Sequence, residues 1–173
     1  MMQSMENASF ELRFAPNVAL VATVRRFVTD FYGKVVRDDD VTDRLAVAAH
    51  ELLDNAVRYS SDSQTVIGIH VNREEANLEV TIRTTNRASA AQLDAARRAL
   101  DEVISASDAS AVYAAQVRRA AKRTDGSGLG LGRVRAEMDL SLSYEIRDDS
   151  VTILARGRFP ARRVEATNRA EDG

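Results

Sequence analysis

Polar and apolar positions change period several times along the chain, and each change marks an element. Phe10, Leu12 and Phe14 alternate with polar neighbours, the period of a half-buried strand over residues 9–14, which Pro16 and Asn17 stop. Over residues 18–36, Leu20, Val21, Val24, Phe27, Val28, Phe31 and Tyr32 recur at helical spacing and predict a long amphipathic helix, with Arg25 and Arg26 on its wetter side. Asp38, Asp39 and Asp40 make a turn and bring acidic residues to the start of a second helix over about 42–59, where the dipole favours them. Alternation returns over 64–71 and 77–84, with 72–76 as the hairpin, and again over 141–147 and 150–159 around Asp148 and Asp149. The alanine-rich stretch 88–123 predicts two helices broken near 105–110 and less strongly packed than their surroundings. Leu131, Val134 and Met138 predict a last helix over 131–139.

Helices on one face of a mostly antiparallel mixed sheet, an α/β two-layer sandwich, is the arrangement this order predicts. Residues 9–160 form one domain in this reading, with 88–125 as a helical, lid-like insert, 1–8 as a flexible N-terminus and 161–173 as a flexible polar tail. A length of 173 residues, 45% apolar and 29% charged, fits one soluble domain with a real core. The absence of cysteine excludes disulfides and thiolate metal sites, and two histidines, His50 and His70, are too few for a histidine-rich metal centre. No basic segment leads into an apolar one at the N-terminus, and no run approaches the roughly 18 apolar residues of a membrane span. The expectation is a cytoplasmic protein without membrane contact. A net charge of −2 and a pI near 5.8 argue against a general nucleic-acid binder.

Chemistry concentrates in two places. Gly126, Gly128, Gly130 and Gly132 are half of the eight glycines and fall within seven residues, 126–132. Glycine allows positive φ and close approach of backbone N–H groups to phosphate oxygens, and the helix that follows points its positive dipole end at the same place. A phosphate cradle is one reading and a flexible turn between helices the other. The segment is neither GxxxxGK[ST] nor GxGxxG, so a P-loop and a dinucleotide fingerprint are both excluded.

The second place is residues 50–60, His50-Glu51-Leu52-Leu53-Asp54-Asn55-Ala56-Val57-Arg58-Tyr59-Ser60. A spacing of four puts Glu51 and Asn55 on one helical face with Arg58 a turn further. A carboxylate, an amide and a cation in that order suit a general base, a Mg²⁺ ligand and a phosphate contact, the needs of nucleoside triphosphate chemistry. A solvated helix face explains the same pattern without chemistry. The zinc motif that begins His-Glu fails because Asp54 stands where its second histidine belongs, which leaves His50 as a packing residue. The basic run Arg118, Arg119, Lys122 and Arg123 reads as an exposed helix face and partner surface, with added phosphate attraction as the alternative.

Together the two segments resemble the GHKL superfamily of histidine-kinase-like ATPase domains, and particularly its small bacterial anti-sigma-factor serine kinases. Residues 51–56 look like the N box and 126–131 like the G2 box, and the resemblance covers roughly residues 9–160. It implies the Bergerat-type ATP-binding fold, with Mg²⁺ and ATP as cofactors between the sheet's helical face and the lid. Glu51 would be the general base, Asn55 the Mg²⁺ ligand and Arg58 a phosphate contact. Gly126, Ser127, Gly128, Leu129, Gly130 and Leu131 would form the nucleotide loop. The implied partner is a protein: a sigma factor, an anti-anti-sigma-type protein or another regulator, with a homodimer also allowed. The implied function is a nucleotide-binding bacterial regulator with Ser/Thr kinase or ATPase activity; the alternative is a non-catalytic, pseudokinase-like partner-binding module.

The pattern departs from the family at the DxGxG segment. Thr84 stands for the aspartate that recognises the adenine amine, and Asn86 and Ala88 stand for the glycines. A hydrogen bond to a charged group is worth about 1.5–3 kcal/mol, so adenine binding is expected to weaken roughly ten- to a hundred-fold unless Thr84 or Thr85 supplies an oxygen.

Overall fold

The computed structural model describes residues 7–61, 64–74, 76–122 and 128–161. The first strand, β1 (Asn7–Phe14), starts two residues earlier than its alternation suggests, because Asn7 and Ala8 pair with Asn72 and Val71 and Ala8 is buried. The expected flexible N-terminus is corrected by those two residues, and the rest of it, 1–6, lies outside the described residues.

Asn17 then caps α1 (Val18–Val36), its side chain accepting from the Ala19 amide at 2.9 Å. This satisfies one of the amides left free at a helix start. The helix ends where Arg37 turns left-handed at φ 54°. Asp38 caps α2 (Asp39–Arg58) by accepting from the Val41 amide, so this helix begins about three residues before the expected position. Its buried stripe includes Leu45, Ala49, Leu52, Leu53 and Ala56, and it packs along α1 and over the sheet.

Strands β2 (Thr65–Glu74) and β3 (Asn77–Arg87) both outrun their expected ends. β3 stays extended through Thr84-Thr85-Asn86-Arg87, where the family pattern has a glycine turn, because residues 84–87 are fully laddered to 150–153. β-branched threonines without glycine favour that extension. Ser89, with Gln92 in a capping box, starts α3 (Ala90–Ser105), and Asp108 caps α4 (Ala109–Ala120). The break between them falls where the sequence places it. Weak packing holds for α4, which buries no residue, whereas α3 sinks Leu93, Leu100 and Val103 into the core.

The short helix α5 (Gly130–Ala136) is followed by β4 (Ser141–Arg147) and β5 (Ser150–Pro160). The strand order is β1-β2-β3-β5-β4 and every pairing is antiparallel. The molecule is therefore an α/β sandwich with helices against the face that carries Ile67, Ile69, Val80, Ile82, Ile153 and Ala155. Tyr32 of α1 is fully buried and donates its hydroxyl to the Ile69 carbonyl at 3.0 Å, fixing helix to sheet. Ala161, the first residue of the expected tail, is instead tied to the sheet by its amide on the Ala76 carbonyl; residues 162–173 lie outside the described residues.

Candidate functional site

The exposed side of α2 faces the start of α5 across a narrow gap. A Cβ placed on Gly130 would stand 2.8 Å from Glu51 Oε2, 3.3 Å from Glu51 Cβ and 3.6 Å from Asn55 Nδ2. Only glycine lets the chain pass this close to α2 without moving those side chains. Gly128, two residues earlier, has φ +94°, a backbone conformation that residues with a Cβ rarely adopt.

Beside this contact a cleft of about 290 Å³ opens between α2, α3, the start of α5 and the ends of β3 and β5. Asn55, Gly128 and Leu131 form one part of its wall and Asn86 and Gln92 its other polar part. Most of the remainder is apolar and contributed by Ala56, Ala96, Leu100, Val151 and Ile153. Asn55, Gly128, Gly130 and Leu131 are thus brought together from residues about 75 positions apart in the chain.

Other expected site residues stand elsewhere. Arg58 is more than half exposed and donates to Asp54 at 2.6 Å, so the side chain reads as an i,i+4 pair on the helix surface, off the cleft wall. That hydrogen bond also holds its guanidinium above the ordinary arginine range. Thr84 is buried in β3 at 1% exposure and is not among the described residues that line the cleft, whereas Asn86, two residues on, is. Leu129 precedes α5 and supplies the carbonyl that accepts from the Arg133 amide. Gly126, Ser127 and Arg123 lie outside the described residues.

Glu51 is held more tightly than a spacing argument shows. Arg133 of α5 donates from Nη1 to Glu51 Oε1 at 3.0 Å and from Nε to Glu137 Oε2 at 2.9 Å, bridging two carboxylates. Its guanidinium is raised above the ordinary arginine range, first by the hydrogen bond to Glu137 and then by that to Glu51, against the opposing effect of burial. Tyr113 of α4 joins the cluster, its hydroxyl pushed up by burial and then by the Glu137 charge. α4 reaches the same spot through Gln116 and Tyr113, which close over Gly132 so tightly that a Cβ there would overlap Gln116 Oε1. Arg135 ties α5 to α3 by donating to the Val103 carbonyl, and Arg119 ties α4 to Glu102 of α3. The glycine loop's helix is therefore attached to both helices of the insert.

Arg133 and Asn86 are the site residues that sequence reasoning missed. The i,i+4 spacing of Arg133 and Glu137 was legible, but the pairing with Glu51 spans 82 positions. Asn86 was hidden because the strand was ended at residue 84 and Asn86 was set against a glycine of the DxGxG segment. Among the described residues no group of three His, Cys, Asp or Glu side chains could hold a metal ion, and no helix is long and apolar enough to cross a membrane.

The histidine kinase-like ATPase domain family matches residues 14–156 of the sequence, nearly the whole of the fold just described. The chain belongs to that family. Among solved structures, a chain of the SiaB–SiaC complex from Pseudomonas aeruginosa superposes with a TM-score of 0.62 at 12% identity, covering 87% of this chain and 89% of that one. At that identity the likeness is one of fold. No curated protein matches the sequence.

Proposed function

We propose that this protein is a nucleotide-responsive regulator that binds Mg²⁺-ATP between α2 and the glycine loop and signals through a protein partner, in the manner of anti-sigma-factor Ser/Thr kinases. The observation that carries the reading is the apposition of Gly130 to Glu51 and Asn55 at the rim of an apolar cleft. Ligand pockets start at about 300 Å³, so this one suits a nucleoside, with the phosphates extending toward Gly128 and Gly130.

The residues present fit a magnesium nucleotide. None of the hydrogen bonds among the described residues uses the Asn55 side chain, which leaves its amide oxygen for a cation. Mg²⁺ usually takes one or two protein oxygens and completes its shell with phosphates and water, so Asn55 alone suffices on the protein side. The ion would supply charge neutralisation at the phosphates. The attachment of α5 to α3 and α4 gives a physical route by which phosphate contacts to the loop could reposition the insert, the order-to-disorder element of known phosphate switches. That a structural neighbour is a chain of a two-protein complex supports a protein partner here.

A second reading has its own observation. Glu51 Oε1 already accepts from Arg133, and the carboxylate is held in a bridge that runs on to Glu137, so the general-base position is tied up in an ion pair. This favours a partner-binding module that holds nucleotide without transferring phosphate. Titration of the protein with ATP, ADP and GTP, with and without Mg²⁺, tests the main reading. Saturable Mg²⁺-dependent binding that is lost in Asn55→Ala is the expected result; no binding up to millimolar nucleotide would overturn it. Phosphate release or transfer dependent on Glu51 separates the kinase from the module.

A further inference from the structure

A nucleotide site that lacks the family's aspartate needs another group to read the base, and β3 supplies one. Alternation along the strand places Ile82, Thr84 and Asn86 on the buried face. Thr84 is buried and does not line the cleft among the described residues; Asn86, 5% exposed, does.

The orientation of the Asn86 amide follows from its partners. Nδ2 donates to the carbonyls of Tyr59 and Arg87, both at 3.3 Å. Because both partners are acceptors, the nitrogen has to occupy that side, and the oxygen is the atom left over. None of the hydrogen bonds among the described residues uses Oδ1. Gln92 of α3 adds a second amide to the same wall. The rest of the wall is apolar and suits the faces of a flat heterocycle.

We infer that Asn86 determines base selectivity: its carboxamide oxygen accepts a hydrogen bond from an exocyclic amine of the bound base, so the site prefers a 6-aminopurine over a 6-oxopurine. This rests on the nucleotide-binding reading above. An acceptor in an apolar wall gains by meeting an N–H donor and loses when it meets another acceptor, as the O6 of a 6-oxopurine would be. The group is neutral, so it recognises the amine without the cost of burying a carboxylate. Its job is that of the missing aspartate, performed from two residues further along a strand that does not turn.

The test is calorimetric titration of the full chain, in Mg²⁺, with ATP, with the triphosphate of unsubstituted purine riboside, and with ITP. Inosine is chosen over guanosine because guanine carries an exocyclic amine of its own at C2, a donor that could meet the same acceptor. The expected order of affinity is ATP, then the unsubstituted purine, then ITP, with about ten-fold or more between the first and last. Asn86→Ala should weaken ATP by about ten-fold, leave ITP nearly unchanged and bring their ratio toward one. The ligand series on the unmutated chain stands even if that variant fails to fold. Equal affinity for ATP and ITP, or a ratio that survives in a folded Asn86→Ala protein, overturns the inference alone. Absence of binding by all three nucleotides overturns it together with the reading on which it rests.

Discussion

Replacing Gly130 by alanine should separate folding from ligand binding. The new methyl would lie 2.8 Å from Glu51 Oε2 and 3.3 Å from Glu51 Cβ, so Glu51 must swing aside, and it is restrained by Arg133 at 3.0 Å on its other oxygen. Two terms then oppose each other. Alanine favours helix over glycine by up to about 1 kcal/mol, and less at the first position of α5, where few helical contacts depend on it. Weakening the Glu51–Arg133 hydrogen bond would cost about 1.5–3 kcal/mol if fully buried. Arg133 is 40% exposed, and solvent screening reduces that toward about 1 kcal/mol. The sum is near zero, so the melting temperature should move by no more than roughly 2–4 °C, the shift that 1 kcal/mol produces in a chain of this size. Nucleotide affinity, on the proposed function, should fall about ten-fold or more, since the methyl also crowds the Asn55 amide; that corresponds to about 1.4 kcal/mol. Thermal melting and calorimetry with Mg²⁺-ATP read the two effects. A melting temperature lowered by more than about 10 °C would show that Gly130 serves the fold. Unchanged affinity in a normally melting variant would refute the apposition as a binding feature.

Other outcomes follow from the same geometry. Arg133→Met removes the bridge between Glu51 and Glu137 and should lower the melting temperature by about 2–4 °C. It should also raise ATP hydrolysis in a way that a second change, Glu51→Gln, abolishes; a flat response in a nucleotide-binding variant would assign the protein to the non-catalytic reading. Tyr32→Phe leaves the packing and deletes the buried hydroxyl on the Ile69 carbonyl, costing about 1–2 kcal/mol. A urea midpoint unchanged from the parent would contradict that. Arg13, and after it Arg83, hold the exposed Glu11 carboxyl below its ordinary value of 4.5. A carboxyl depressed in the folded state stabilises above 4.5 and loses that contribution as pH falls through its folded value. The stability difference between the parent and Glu11→Gln should therefore shrink below pH 4.5, and a difference that stays constant there would refute the coupling.

The elements were legible in the sequence wherever one periodicity held over enough residues. Val18 to Val36 repeats at helical spacing and is bounded by Asn17, whose side chain caps it, and both ends of that helix fall where the pattern puts them. The break between α3 and α4 was visible because Ser105 to Asp108 interrupts an alanine-rich run. Boundaries slipped where tertiary pairing decided them. Asn7 and Ala8 have no strand signal of their own and become β1 because Asn72 and Val71 are available across the ladder. Thr84 to Arg87 fell by position on the family's DxGxG segment, yet β5 on one side and β2 on the other keep it extended.

The candidate site divides in the same way. Sequence alone determined that the glycines after residue 125 and the Glu51–Asn55 helix face belong to one histidine kinase-like domain, because such motifs depend on local geometry, i to i+4 on a helix and glycine in a tight loop. Only the tertiary structure decided what those residues face. It turned Arg58 toward Asp54, placed Arg133 on Glu51 across 82 positions, and exchanged Thr84 for Asn86 on the cleft wall. The physical reason is that these outcomes depend on how α5 and β3 pack against α2. That packing is set by the burial of the whole core, and no local run of residues encodes it.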